Sequence, residues 1–402
     1  MSMKSIDQLD IAGKKLLFRV DYNVPLDGSV ITDDNRIRAS IPTLQYALEK
    51  GAAVIVCAHL GKPKGKVCPE LSLAPIAARL GELLGFSVDL APDCVGPSVV
   101  GLVANLQPGQ VLMLENLRFH AQEQGKTEAD RGDFGKQLAE LADIYVNDAF
   151  GVAHRPNASV VDVPRFANDC CAGFLLKKEW EYLGEALKNP GRPYVAVSGG
   201  AKVSSKLGIL NNLLGKVDHI IIGGAMANTF IAAQGYGVGK SLYERDLMDE
   251  AVAIMKTAES EGSKLHLPVD FLYAESIESE AAAGVCLATE IPEDAVVLDI
   301  GPESVRLFCE VIASAKTIMW NGPMGLFEKA AFAEGSLALC RTMAQMDDAM
   351  TIVGGGDTDA VVHQARLEDK FSFISTGGGS FLEFIEGKEL PAFTALKECL
   401  KK

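Results

Sequence analysis

The chain has 402 residues, 48% of them hydrophobic and 23% charged, which is enough for two or three packed domains and is not the composition of a disordered chain. Its formal charge is −15, from 38 basic and 53 acidic residues, which argues against generic nucleic-acid binding but leaves room for a small anionic ligand held by a few Arg and Lys. Nine cysteines without a C-x-x-C pair read as a reduced set of buried thiols rather than a disulfide framework.

The N-terminal stretch MSMKSIDQLDIAGKK carries Asp7 and Asp10 and no apolar core, so it does not read as a secretory signal. Short continuous apolar runs then recur: KLLFRVDY, AAVIVCAH, FSVDL, VLMLEN, DIYVND, YVAVSGG, HIIIGG, LHLPVD, AVVLDIG, TIMWNGP, MTIVGGGD and FSFISTGGG. Unbroken rather than alternating, they predict parallel strands covered on both faces. Segments of helical spacing lie between them, among them IRASIPTLQYALEKG, LAPIAARLGELLG, SSKLGILNNLLGK and LMDEAVAIMKTAESEG. The uncharged stretch 220–239 holds five glycines and several polar residues, so it reads as a buried strand, turn and helix rather than a membrane span.

Strand–helix alternation predicts an α/β protein. Some twelve strands exceed one compact sheet, so two doubly wound parallel-sheet (Rossmann-like) domains are expected. The charged helical segment AGFLLKKEWEYLGEALKNPGRP predicts a hinge helix between them. The expected divisions are 1–172, a linker at 173–192, and 193–389.

Open α/β sheets bind ligands beyond the carboxyl ends of their strands. In the first half those ends carry Asp21 and Asn23, His59 and Lys62, Glu115, Asn116 and Arg118, and Asn147, Asp148, His154 and Arg155, with Arg36 following the first strand. Singly, each is an ordinary surface charge or cap. Their shared position after consecutive strands points to a cationic crevice for a small polyanion, because Arg grips carboxylate and phosphate through paired hydrogen bonds.

In the second half the strand ends are glycine-rich: Gly199-Gly200, Gly223-Gly224, Gly301-Pro302, Gly322-Pro323, Gly354-Gly355-Gly356 and Gly377-Gly378-Gly379. Such loops let backbone N–H groups approach phosphate. Lys202 and Lys206, spaced i, i+4, are expected on one helix face beside them. Asp357 is placed to hold Mg²⁺ on nucleotide phosphates, or to cap a helix, or both. GYGVGKS at 235–241 is a flawed P-loop, its first glycine one residue too close. No G-x-G-x-x-G opens a helix, and neither G-x-S-x-G nor H-E-x-x-H occurs. His120, His219, His266 and His363 read as structural or exposed. A cationic crevice on one domain and a glycine-rich nucleotide site on another is the layout of a small-molecule phosphotransferase that closes to exclude water.

The motifs RVDYNVPL, DDNRIRAS, HLGKPKG, LENLRFH, YVNDAFGVAHR, GGAKVSSK, WNGPMGLFE, GGGDT and STGGGS, in this order over nearly the full length, resemble the phosphoglycerate kinase family. The resemblance implies reversible phosphoryl transfer from 1,3-bisphosphoglycerate to Mg-ADP, giving 3-phosphoglycerate and ATP. It implies phosphoglycerate binding by Asp21, Asn23, Arg36, His59, Lys62, Arg118 and Arg155. It implies nucleotide binding by Gly200, Ala201, Lys202, Lys206, Asn321, Glu328, Gly354, Gly355, Gly356, Asp357 and Thr358, with Mg²⁺ on Asp357. Catalysis would fall to Arg36, Lys202, Gly355 and Gly378. Residues 390–402 would fold back on the first domain, and the enzyme would be a cytoplasmic monomer with no nucleic-acid or membrane partner. The sequence departs from the family pattern at Lys62, where Arg is usual, and at Asn157, Ala225, Asp359 and Ser380. The alternatives are another acyl-phosphate-forming kinase, or a two-domain anion-binding protein without catalysis.

Overall fold

The computed structural model describes residues 3–401 and divides into two compact units. Unit one runs through Glu181 and takes in the segment from Glu389 onward; unit two is Tyr182–Lys388. The expected linker is a helix, Phe174–Lys188, and the division falls inside it rather than on either side.

Unit one contains β1 (Lys15–Val20), the two-stranded ribbon β2 (Leu26–Asp27) and β3 (Val30–Ile31), β4 (Ala53–Cys57), β5 (Asp89–Leu90), β6 (Val111–Met113), β7 (Ile144–Asp148) and β8 (Asp169–Ala172). Its sheet has the order β5-β6-β4-β1-β7-β8, parallel throughout. Strands β4 and β7 are buried along their whole length, β4 as an unbroken apolar run requires and β7 down to its polar Asn147 and Asp148. Along β1, Leu16, Phe18 and Val20 join a core with Ile37 and Leu44 of the helix Asn35–Glu49 and Ile76 and Leu80 of the helix Ala74–Leu84. Side chains alternate along a strand, so Leu17 and Arg19 turn to the opposite face.

The helix Pro391–Cys399 packs within unit one. Phe393 meets Trp180 edge-on at 4.6 Å, and Ala392 N–H donates to the Ala153 carbonyl at 3.1 Å. Cys399 is bonded to Cys170 of β8, while the other seven cysteines are free. This differs from the fully reduced expectation. The partners are 229 residues apart, and only the returning helix makes them neighbours.

Unit two contains β9 (Tyr194–Ser198), β10 (His219–Ile222), β11 (Lys264–His266), β12 (Asp270–Ala274), β13 (Gly284–Leu287), β14 (Val296–Ile300), β15 (Thr317–Asn321), β16 (Met350–Val353) and β17 (Phe373–Ile374). Its parallel sheet has the order β11-β10-β9-β15-β16-β17, in which the order of strand addition reverses between β9 and β15. The run LHLPVD ends β11 and reaches only the first residue of β12, and β12 pairs antiparallel with β13 and β14 in a separate three-stranded sheet. The run AVVLDIG therefore belongs to that sheet; continuity of apolar residues reports burial, not strand direction.

Candidate active site

In unit one the carboxyl ends of β1, β4 and β7 lie side by side. Asp21, just past β1, forms an ion pair with Arg36 at 2.8 Å. The Asn23 side-chain oxygen accepts from Gly61 N–H at 2.8 Å and so fixes the loop that carries the exposed Lys62. His59 is 2% exposed, with Nδ1 3.2 Å from Nη2 of Arg19. Arg19 is itself fully buried, donates to Ser159 Oγ at 2.8 Å, and lies 3.9 Å from Glu123.

Arg118 is 2% exposed and donates from Nη1 to the Gly61 carbonyl at 2.7 Å. Its Nε and Nη2 are buried with no hydrogen-bond partner. A guanidinium with two unmet donors is a large unmet demand for an acceptor. The surrounding titrations point the same way. Burial, then Arg155 and Arg19, bring Arg118 down to about 10. Burial, then Arg19, Arg118, Arg155 and Arg36, hold His59 well below its ordinary value, so it is neutral at pH 7. Burial, then Arg155, bring His154 down to about 4. Each shift opposes positive charge, as in a crevice with surplus positive potential.

Other strand-end residues brace this crevice rather than line it. Asn116 accepts from Leu60 and Arg118 N–H and donates to the Leu60 and Leu71 carbonyls. Glu115 accepts from Ser72 Oγ and from the Leu73 and Asn116 N–H groups. Asp148 accepts from Leu176 N–H at 3.1 Å, at the start of the helix Phe174–Lys188.

In unit two the loops after β9, β10 and β15 meet where the strand order reverses. Gly199 and Gly200 N–H donate to the Asn321 and Pro323 carbonyls, and Gly224 N–H donates to Met324. A Cβ on Gly199 would lie 2.1 Å from the Pro323 carbonyl oxygen, so backbone packs directly on backbone there. Lys206 is 9% exposed, and its ammonium donates to Asn321 Oδ1. Asn321 in turn donates to the Gly354 carbonyl. Burial lowers Lys206 to about 8, and the charge of Asp357 works against that fall. Gly355, at φ +95°, precedes the helix Gly356–Ala365, whose first turn carries the exposed Asp357. Thr358 Oγ accepts from Gly322 N–H at 2.7 Å and donates to the Gly354 carbonyl, tying the loops after β15 and β16 together. The helix Gly378–Ile385 starts after β17. The N-terminus of Gly356–Ala365, a buried lysine and a carboxylate thus lie at one end of the sheet, a set suited to phosphate and a hard cation.

A family model described as phosphoglycerate kinase matches residues 6–388. The chain belongs to the phosphoglycerate kinase family. It is 73% identical to the phosphoglycerate kinase of Maridesulfovibrio salexigens over 98% of this chain and 100% of that protein. It is 50% identical to a wheat protein named phosphoglycerate kinase, cytosolic, over 99% of this chain and 98% of that one. Among solved structures, the phosphoglycerate kinase of Coxiella burnetii superposes with a TM-score of 0.90 at 42% identity, covering 98% of this chain and 99% of that chain. That of Pyrococcus horikoshii gives 0.86 at 30% identity over 100% of both chains.

Some site residues stand differently from expectation. Lys202 and Lys206 do not share a helix face. The helix is Leu207–Leu213, Lys206 is its N-cap, and Lys202 lies exposed four residues earlier, outside the helix. The two ammonium groups therefore differ, one buried and one in water. Glu328 and Ala201 are exposed. GYGVGKS opens no helix; it lies between the helix Met226–Ala233 and the turn Arg245–Leu247. Sequence reasoning missed Arg19, Glu123 and Ser159, which sit beneath the crevice in unit one. Asn157, left without a role, is buried there and donates to Glu123 at 3.2 Å. The available signal was an arginine inside the apolar run KLLFRV, since a charge there must find buried partners.

Proposed function

We propose that the crevice around Arg36, His59 and Arg118 binds the phosphoglycerate, and that the loops around Gly200, Lys206 and Gly355 bind the nucleotide. The enzyme transfers a phosphoryl group reversibly between 1,3-bisphosphoglycerate and ADP, giving 3-phosphoglycerate and ATP. The observation that carries the assignment is Arg118, whose two buried, unpartnered nitrogens ask for an anion's oxygens.

Arg118, Arg155, Lys62 and Arg36 hold the phosphate and carboxylate of the acid, with Asp21 keeping Arg36 in place. His59 stays neutral and so contributes a hydrogen bond without adding to the cationic repulsion. In unit two, Gly200, Ala201 and Glu328 line the nucleoside, Asn321 positions Lys206, and Lys206 meets phosphate. Asp357 and Thr358 stand at the first turn of their helix, where a single carboxylate with phosphate oxygens suits Mg²⁺. Bound there, the ion would neutralise phosphate oxygens. Negative charge on the transferring phosphoryl is spread over three oxygens, so catalysis is positioning and electrostatics. Arg36, Lys202 and the N–H groups at Gly355 and Gly378 supply donors to it. The reaction requires both ligands to meet, and we assign the hinge to residues 173–192. Among the described residues no helix is long and apolar enough to cross a membrane. We take the working enzyme to be a cytoplasmic monomer.

The test is phosphorylation of 3-phosphoglycerate by Mg-ATP, with the product reduced by a coupled NADH-consuming dehydrogenase. Arg36→Ala and Lys202→Ala are each expected to abolish turnover in a folded protein. Turnover surviving in either variant would break that residue's assignment. Absence of turnover in the unaltered, folded enzyme would overturn the reaction itself.

A further inference from the structure

Away from the arginine crevice, at the β5–β6 edge of unit one's sheet, three donors of different kinds come together. Asp93 and Cys94 follow β5, and His120 follows β6 through the turn Leu117–Phe119. One ligand atom from each lies within 4.8 Å of the other two. His120 Nε2 is 2.6 Å from Asp93 Oδ1, and the His120 ring stacks on Phe134 with centroids 4.7 Å apart, which fixes its plane. Cys94 is buried and donates from Sγ to the Glu115 carbonyl at 2.9 Å. The loop bearing it is tied to β6 by Glu115 N–H donating to the Asp93 carbonyl.

We propose that Asp93, Cys94 and His120 form a binding site for a borderline divalent metal of the zinc class. Sulfur, imidazole nitrogen and carboxylate oxygen together select Zn²⁺ or Co²⁺, whereas Mg²⁺ and Ca²⁺ take oxygen ligands. Tetrahedral coordination needs ligand atoms roughly 3–4 Å apart, which small side-chain rotations supply from the present spacing. Asp93 and His120 are partly exposed and give the ion its entry path. On binding, the Cys94 S–H bond breaks, the sulfur electron pair goes to the metal and the proton goes to solvent; water completes the fourth position. None of the three residues belongs to the phosphotransfer site.

The test is titration of the full chain with Co²⁺ followed in the near ultraviolet and visible, then competition by Zn²⁺. The expected result is one Co²⁺ per chain with a sulfur-to-cobalt charge-transfer band that Zn²⁺ abolishes. Cys94→Ser should remove the band and His120→Ala should weaken binding by about tenfold or more, with phosphotransfer unchanged in both. Absence of stoichiometric Co²⁺ binding, or the same band in Cys94→Ser, would overturn the proposal. If Cys94→Ser fails to fold, the partly exposed Asp93→Asn and His120→Ala decide the matter, and unchanged affinity in both refutes it.

Discussion

Replacing Arg118 by Met is expected to make the free enzyme more stable and a poorer binder of 3-phosphoglycerate. In the free protein the guanidinium is 2% exposed and has two donors without partners. Burial and its arginine neighbours bring it down to about 10. Each factor of ten in proton affinity is worth about 1.4 kcal/mol, so the charged side chain stands roughly 3–4 kcal/mol above its fully solvated state. Methionine keeps most of the volume and removes that penalty. It also removes the bond to the Gly61 carbonyl, worth about 1 kcal/mol. The net gain is about 2–3 kcal/mol. On the ligand side, two charge-assisted hydrogen bonds disappear, each worth about 1.5–3 kcal/mol, so affinity should fall by roughly two to four powers of ten. Urea denaturation with and without 3-phosphoglycerate reads both effects, since a ligand stabilises the native state by RT ln(1 + [L]/Kd). The wild type should gain stability with ligand, and Arg118→Met should start higher and gain little. A variant less stable than wild type without ligand, yet still stabilised by it, would refute the argument.

Three further outcomes follow from the same geometry. Lys206 is lowered to about 8 and must be protonated to attract phosphate, so affinity for Mg-ADP should decline as pH rises above 8; Lys206→Met should bind weakly with a flat profile, and a wild-type affinity constant from pH 7 to 9 would contradict this. Gly199→Ala should destabilise by about 3 kcal/mol, because its Cβ meets backbone at 2.1 Å, whereas Gly378→Ala, with nothing within 4 Å, should keep wild-type thermal stability and slow transfer; equal stability of the two variants would count against the backbone-packing account. Burial raises Asp299 to about 7 in the folded enzyme. Between about 4 and 7 the folded state therefore holds a proton that the unfolded state has lost, so this residue adds stability as pH falls through 7. Asp299→Asn should lack that contribution, and identical pH–stability curves would show that the carboxyl is not held up by burial.

The sequence exposed much of the site because parallel α/β sheets turn chain order into geometry. Once KLLFRV, AAVIVC and DIYVND are read as strands, Asp21, His59 and Arg155 must gather at one end of the sheet, whatever the helices do. Strand assignment failed where the signal was short or ambiguous. Asp169–Ala172 is a four-residue strand, DCCA, too brief to stand out. Strand β14, paired antiparallel, looks like the strands of the parallel sheets because burial, not direction, sets its composition. The i, i+4 reading of Lys202 and Lys206 failed because residues 203–206 form turns that bring Lys206 to Asn321, a contact 115 residues distant.

By itself, then, the sequence determined the two-sheet α/β class, the residue types at each strand end, and the family, since each is a matter of local pattern and order. Tertiary structure alone decided which of those residues are satisfied within the fold and which keep unmet donors. Asn116 spends its hydrogen bonds on backbone groups and Glu115 on Ser72 and two backbone N–H groups, while Arg118 retains two donors unspent. It also decided that Arg19 and Glu123, 104 positions apart, lie within 3.9 Å, and that Cys170 meets Cys399. The physical reason is the same in each case. Burial and partnership arise between segments remote in the chain, and the free energy of a charge depends on those neighbours rather than on its own residue type.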